Sequence, residues 1–324
     1  MNKLALTSAI AVALVSTSSM AANVYHDDTS SLSIGGRAEF RGDFNGTSDG
    51  QDIEGTMDNQ SRFRLNVAGE TQIAEGVQGF GFVEVEQGVQ SSADNTSQTT
   101  ELKQRYVYAG VDTKFGAVSF GRQNTAGTQI SDLSDFSTYS GGQKSFINAG
   151  DEQINNTIKY GFATDSLNLQ ASAILGDEKD TDGYGVSGVY SLPIGLDLGL
   201  GYAANGNGEG NGDANQIIAG AKYRLNALTL GATYTQGDID DKDNIEFNGV
   251  ELAAQYQITH AMSVTGAYQK QEVDNNGLKE DTSDFYELTG TYEFNNQMRT
   301  YAAMKFNNLD DASNSVRLGL RYDF

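Results

Sequence analysis

Two sets of side chains in this chain combine charge with a spacing that commits them to shared surfaces. In Ser61-Arg62-Phe63-Arg64-Leu65-Asn66-Val67 the two arginines stand two residues apart. In extended backbone both lie on one face, while Phe63, Leu65 and Val67 lie on the other. Arg37, Lys103 and Arg105 occupy similar alternating runs. The opposing set is acidic: Asp132, Asp135, Asp151 and Glu152, all within the polar stretch 123–153. Fixed cations facing fixed anions across a gap do no covalent chemistry. They set up a transverse field that orients polar solutes and penalises apolar ones, which is how charged linings select in pores.

Covalent chemistry finds little support. The two histidines are His26, near the start of the alternating region, and His260, in an expected short turn, so a Ser/His/Asp site within 123–153 lacks its base. With no cysteine and scattered histidines the usual zinc sets are missing. The acidic runs 177–182 and 238–243 offer oxygen ligands suited to Ca²⁺ or Mg²⁺, but neither has an EF-hand pattern and both read as solvated loops. The residues therefore point to no metal, no cofactor and no enzyme. A net charge of −22 argues equally against a nucleic-acid partner, because binding a polyanion needs an accumulated positive field.

What positions these groups is read from periodicity. Met1-Asn2-Lys3, the apolar run Leu4 to Val15 and the small pair Ser19 and Ala21 have the layout of a secretory signal peptide, so residues 1–21 are expected to be removed. Twelve apolar residues are too few to span a bilayer of ~30 Å as a helix. Loss of Lys3 leaves 20 basic side chains against 43 acidic ones, a net −23. An exported chain without cysteine holds together by architecture rather than by disulfides. The rest, 22–324, reads as one domain with one proline and 38 glycines, a composition that favours long strands and loops over helices.

Alternation of apolar and polar residues predicts strands near 32–41, 61–67, 76–87, 102–111, 116–122, 154–162, 166–175, 183–191 and 195–204. Others follow near 214–224, 226–236, 246–257, 260–271, 282–294, 296–307 and 313–324, making sixteen. Many run nine to twelve residues, close to what a tilted strand needs to cross a bilayer and longer than ordinary sandwich strands. Connections alternate between short turns and long Gly/Asn/Asp-rich stretches at 42–59, 88–101, 123–153, 176–182, 205–213, 237–245, 271–281 and 308–312. Long on one side and short on the other fits an up-and-down antiparallel barrel in an asymmetric membrane. A solenoid is the rival, but the segments share spacing without a common repeat.

In the last strand Val316, Leu318, Leu320, Tyr322 and Phe324 share one face and Arg317, Gly319, Arg321 and Asp323 the other. An arginine in hydrocarbon costs ~2–4 kcal/mol near the midplane, so that second face must be wet. Tyrosine and phenylalanine near strand ends fit interfacial belts, although strand propensity accounts for part of this. Sixteen strands enclose an aqueous lumen rather than a packed core. The expected fold is an all-β, sixteen-stranded transmembrane barrel. Its third long loop, 123–153, folds inward so that Asp132 and Asp135 face Arg37, Arg62, Arg64, Arg105 and Lys103.

Val67-Ala-Gly-Glu-Thr-Gln-Ile73, Tyr106-Val-Tyr-Ala-Gly-Val111, Ala117-Val-Ser-Phe-Gly-Arg122 and Gly319-Leu-Arg-Tyr-Asp-Phe324 resemble the general porins of Gram-negative outer membranes. Gly35-Gly-Arg-Ala-Glu39 and Asn59-Gln-Ser-Arg-Phe-Arg-Leu-Asn66 resemble in particular the OmpU-like porins of marine gammaproteobacteria. The resemblance covers essentially the whole of 22–324. It implies a homotrimer in outer-membrane lipid and lipopolysaccharide, passing ions and small hydrophilic solutes passively. It places the basic constriction on Arg37, Arg64 and Arg105, and the acidic loop pair on Asp135 and, with a one-residue slip, Asp132. The ending Tyr322-x-Phe324 resembles the signal read by the barrel-assembly machinery, and is equally an ordinary belt aromatic. Where relatives often carry an arginine, this chain has Gln153, so a positive charge is expected to be missing beside Asp151 and Glu152 and the pore to prefer cations. A substrate-specific channel, or a structural or adhesive surface barrel, remains an alternative; inward aromatic candidates such as Phe80, Phe82 and Tyr301 are few and tryptophan is absent.

Overall fold

The structure is a computed structural model and describes residues 21–45, 47–48, 51–52, 57–88, 101–310 and 312–324. Residues 1–20, most of the expected signal peptide, lie outside it. Sixteen long strands among the described residues run in chain order. They are β1 (Ser30–Phe44), β2 (Arg62–Ala74), β3 (Val77–Gly88), β4 (Lys103–Thr113), β5 (Gly116–Gln123), β6 (Ile154–Ala163), β7 (Leu167–Ile174) and β8 (Gly183–Leu192). The second half comprises β9 (Leu196–Gly206), β10 (Asp213–Leu225), β11 (Leu228–Asp240), β12 (Ile245–Thr259), β13 (Met262–Asn275), β14 (Leu278–Glu293), β15 (Met298–Asn307) and β16 (Ser315–Asp323).

Each strand pairs antiparallel with the next, and β16 returns to β1 through Arg37↔Asp323 to Phe44↔Val316, so the sheet closes. Closure leaves no long unpaired edge, which a strand in hydrocarbon could not tolerate. A short N-terminal strand, Ala22–His26, pairs with Ser31–Ile34 in line with the end of β16. Gly36 and Phe324 exchange backbone hydrogen bonds at 2.9 and 3.0 Å, so the C-terminal residue and the strand Ala22–His26 both meet β1.

Burial along the strands is inverted relative to a water-soluble protein. On β12 Leu252 is 48% and Tyr256 51% exposed, whereas Glu251 is fully buried. On β16 Leu318, Leu320 and Tyr322 are exposed while Arg317 and Asp323 are buried. The outer face is therefore apolar and the inner face polar, as period-two alternation requires of a barrel standing in lipid.

One connection is shorter than its composition suggests. The polar run 271–281 reads as a loop, yet β13 continues to Asn275 and β14 starts at Leu278, leaving only Asn276 and Gly277 to turn. Both have positive φ, +54° and +87°, the geometry of a two-residue hairpin turn that matches strand twist. Ladder hydrogen bonds do not need apolar side chains, so a hairpin reaching into water keeps its strands while losing the pattern that marks them.

Candidate functional site: a charged passage inside the barrel

The segment 124–153 between β5 and β6 contains one four-residue helix, α1 (Thr128–Ser131), and two 3₁₀ turns, Gly142–Lys144 and Asn148–Gly150. It lies against the polar face of the wall. Ile130 and Leu133 pack on Ile218 of β10, and Ile147 and Ala149 on Ile174, Ala203, Ala214 and Phe247. Phe146 stacks on Phe247 with centroids 4.1 Å apart. Burying Ile130 and Leu133 stabilises this docking by about 1.5–3 kcal/mol each. Glycines make the seat: a Cβ at Gly199 would stand 2.8 Å from Ile130 Cδ1, and one at Gly220 3.0 Å from Leu133 Cδ1.

Polar contacts fix the tip of the segment. Glu251 accepts from Ser134 Oγ and from the Gly141 amide, both at 2.7 Å. Glu287 accepts from Ser137 Oγ at 2.5 Å and from the amides of Thr138 and Tyr139 at 3.1 Å. Arg317 donates to the Thr138 carbonyl at 2.9 Å, grips Asp43 through two bonds of 2.7 Å and sits 3.9 Å from the Tyr139 ring centroid. Gln216 and Gln271 donate to the carbonyls of Gln143 and Gly142 at 2.9 and 2.8 Å.

The wall of β1–β4 carries the cations singled out by their spacing, but they do not pair with the loop acids. Arg62 Nε donates to Glu39 Oε2 at 2.7 Å, and Arg37 lies 3.8 Å from the same carboxylate. Arg64 pairs with Glu86 and lies 3.8 Å from Glu84, while Arg105 Nε donates to Glu84 at 2.8 Å. Tyr301 donates its hydroxyl to Glu39 at 2.8 Å. Lys103 is exposed at the start of β4, opposite Glu86 in the register. Half-buried guanidinium groups on neighbouring strands need anions at hand, and the barrel takes them from its own strands. Glu39 stands two residues from Arg37, and Glu84 and Glu86 alternate in the same way on β3. The signal for this ladder was available in the period-two pattern.

The expectation of a missing positive charge beside Asp151 and Glu152 is also corrected. Lys144 Nζ lies 3.3 Å from Asp135 Oδ2 and 3.7 Å from Glu152 Oε2. Gln153 does face Glu152, donating its amide at 2.8 Å, but the cation comes from nine residues upstream. Burial alone would depress the Lys144 ammonium, yet Asp135, Glu152 and Asp132 outweigh it and hold it charged well above the usual range. Asp132 is exposed to the space inside the barrel. Its encirclement by protein pushes its carboxyl up to about 6, with Lys144 pulling the other way. Burial pushes Asp151 to about 6 as well, opposed by a 2.7 Å bond from the Glu152 amide. Glu152 is the loop acid within electrostatic reach of Arg105.

At the end of β16, Tyr322 points outward, 45% exposed. Phe324 stacks at 6.2 Å on Tyr322 and at 6.4 Å on Phe63, on the apolar side.

Comparison with known proteins agrees with this architecture. The chain is 31% identical over 348 residues to a porin-like protein L of Photobacterium profundum, covering all of both chains. It is 30% identical over 358 residues to the outer membrane protein U of Vibrio vulnificus, again over all of both. The OmpF of Salmonella typhi, solved in complex with daunomycin, superposes with a TM-score of 0.79 at 20% identity, covering 94% of this chain and all of that one. A family model described as Gram-negative porin matches residues 5–312, so this outer-membrane β-barrel belongs to the Gram-negative porin family.

Proposed function

We propose that this porin is a general diffusion channel for ions and small hydrophilic solutes, narrowed by the segment 124–153 and preferring cations. The observation that carries this reading is the pairing pattern. Arg37, Arg62, Arg64 and Arg105 of β1–β4 pair with Glu39, Glu84 and Glu86 of their own wall, and the loop acids Asp135 and Glu152 meet at Lys144. Neither set closes onto the other, which is what a water-filled gap between them requires. In this reading Arg37, Arg62, Arg64, Lys103 and Arg105 line the basic side, and Asp132, Asp135, Asp151 and Glu152 the acidic side. The loop rim, with four acids against one lysine, supplies the cation preference.

The same reading sets the barrel in lipid and lipopolysaccharide as a homotrimer. In its support, the outward face of β2–β5 forms a shallow apolar depression lined by Val67, Gly69, Gly81, Val83, Val107 and Ala109 beside the exposed ring of Phe120, an apolar surface that a second copy could cover. Tyr322 and Phe324 would be read by the barrel-assembly machinery, and deletion of Phe324 is expected to slow assembly.

Recording in planar bilayers tests the function. Expected are large ohmic steps, no saturable block by sugars, and a reversal potential in a KCl gradient of the sign given by K⁺ preference. Saturable sugar block would make the pore substrate-specific; absence of conductance would leave a structural or adhesive barrel.

A further inference from the structure

Lys144 is not among the residues that the charge spacing marks, yet it holds the most connected position in the segment. Its ammonium bridges Asp135, at the tip of the loop, and Glu152, seventeen residues on at its end, and its side chain is only 12% exposed. Asp135 is held on its other oxygen by Ser140 Oγ at 3.0 Å, and Glu152 by Gln153 at 2.8 Å. The backbone makes room for this: Gly141, with φ +94°, lies against the Asp135 carboxylate, where a side chain would collide.

Resting on the channel reading above, we infer that Lys144 is a specificity-determining and positioning residue of the passage, a built-in counter-ion that ties the tip of the loop to its end at β6 and sets how strongly the acidic rim attracts cations. Two consequences follow from one ammonium. As a charge it cancels one of the four rim acids, lowering the local cation concentration. As a link it holds Asp135 and Glu152 within 4 Å of a common point, so that the rim keeps one shape and Glu152 keeps its station within the field of Arg105. Asp132, just past the end of α1, and Lys159 of β6 contribute to the same local field.

The two roles separate by substitution, read by reversal potential and by open-channel noise in the same bilayer experiment. Lys144→Met removes the charge and keeps the length. It is expected to raise the cation-to-anion permeability ratio about two- to fivefold at 0.1 M salt, with the effect fading toward 1 M as screening shortens the reach of each charge. Its current should also flicker more than that of the wild type. Lys144→Arg should restore both properties. Lys144→Met with Asp135→Asn should return the selectivity close to wild type, because one charge of each sign has gone, while the flicker persists because the link has not returned. Heat-modified gel mobility checks that each barrel is folded, and Lys144→Gln serves if the methionine variant misfolds.

A wild-type protein that forms no conductance overturns the channel reading and this inference together. A wild type that conducts, with Lys144→Met and Lys144→Gln unchanged in selectivity, overturns the role of Lys144 alone. Selectivity that shifts equally in Lys144→Arg also overturns it, since the effect would then follow shape rather than charge.

Discussion

Asp132, Asp135, Asp151 and Glu152 do not contribute equally to the rim, because their surroundings differ. Asp132 and Asp151 are the two whose carboxyls are pushed up to about 6, so they take up protons as pH falls through that value. Protonation removes negative charge, so cation preference should decline between about pH 7 and about pH 5. The groups facing Asp132 are Lys144, Asp135, Glu152 and Lys159, with Lys222 also in reach. Reversal potentials across that range check the prediction, and Asp132→Asn with Asp151→Asn should be flat over it. A wild type that is itself flat there would show that water in the lumen screens both carboxylates. Glu287 poses a different question, since it holds three donors of the loop tip at once. Hydrogen bonds to a charged group contribute about 1.5–3 kcal/mol each. Glu287→Gln should therefore loosen the tip and increase brief closures in single-channel records, with mean conductance little changed; identical dwell times would remove Glu287 as an anchor.

At the scale of the strand, which face a residue occupies decides what a substitution does. Leu252 stands on the outer face of β12 and its neighbour Glu251 on the inner face, fully buried against the loop. Leu252→Arg should cost ~2–4 kcal/mol if the site lies near the bilayer midplane. Unfolding from lipid vesicles by denaturant would read this as an earlier midpoint, and an unchanged midpoint would place β12 differently in the membrane. The loop is an element of another kind. It has little regular structure of its own, and its shape comes from two apolar contacts and several wall carboxylates and amides. Inward glycines of β9 and β10 are part of the same design, because a side chain at Gly199 or Gly220 would take the space that Ile130 and Leu133 fill.

The whole molecule combines a chain of net charge −22 with an outer surface that is apolar. Glu39, Glu84, Glu251 and Glu287 are buried on the inner face, away from the apolar outer one. If the depression over β2–β5 is where copies meet, conductance should enter a bilayer in steps of three equal channels; single independent steps would show that the barrel works alone.

How much of this was legible in the residues depends on whether a feature is periodic or collective. Sixteen strands, their faces, the wet interior and the long third connection follow from alternation, since a period of two assigns every side chain to lipid or to lumen without reference to its partners. Arg62, Arg64 and the last strand could be placed that way. The partners could not: Arg64 meets Glu86 across β2 and β3, Lys144 reaches both Asp135 and Glu152, and Glu287 lies about 150 residues from the amides it holds. Local order fixes which way a side chain points. Only closure of the barrel decides which distant side chains then share the same few ångströms, and in a low-dielectric wall those distances determine which charges cancel and which remain to act on a passing ion.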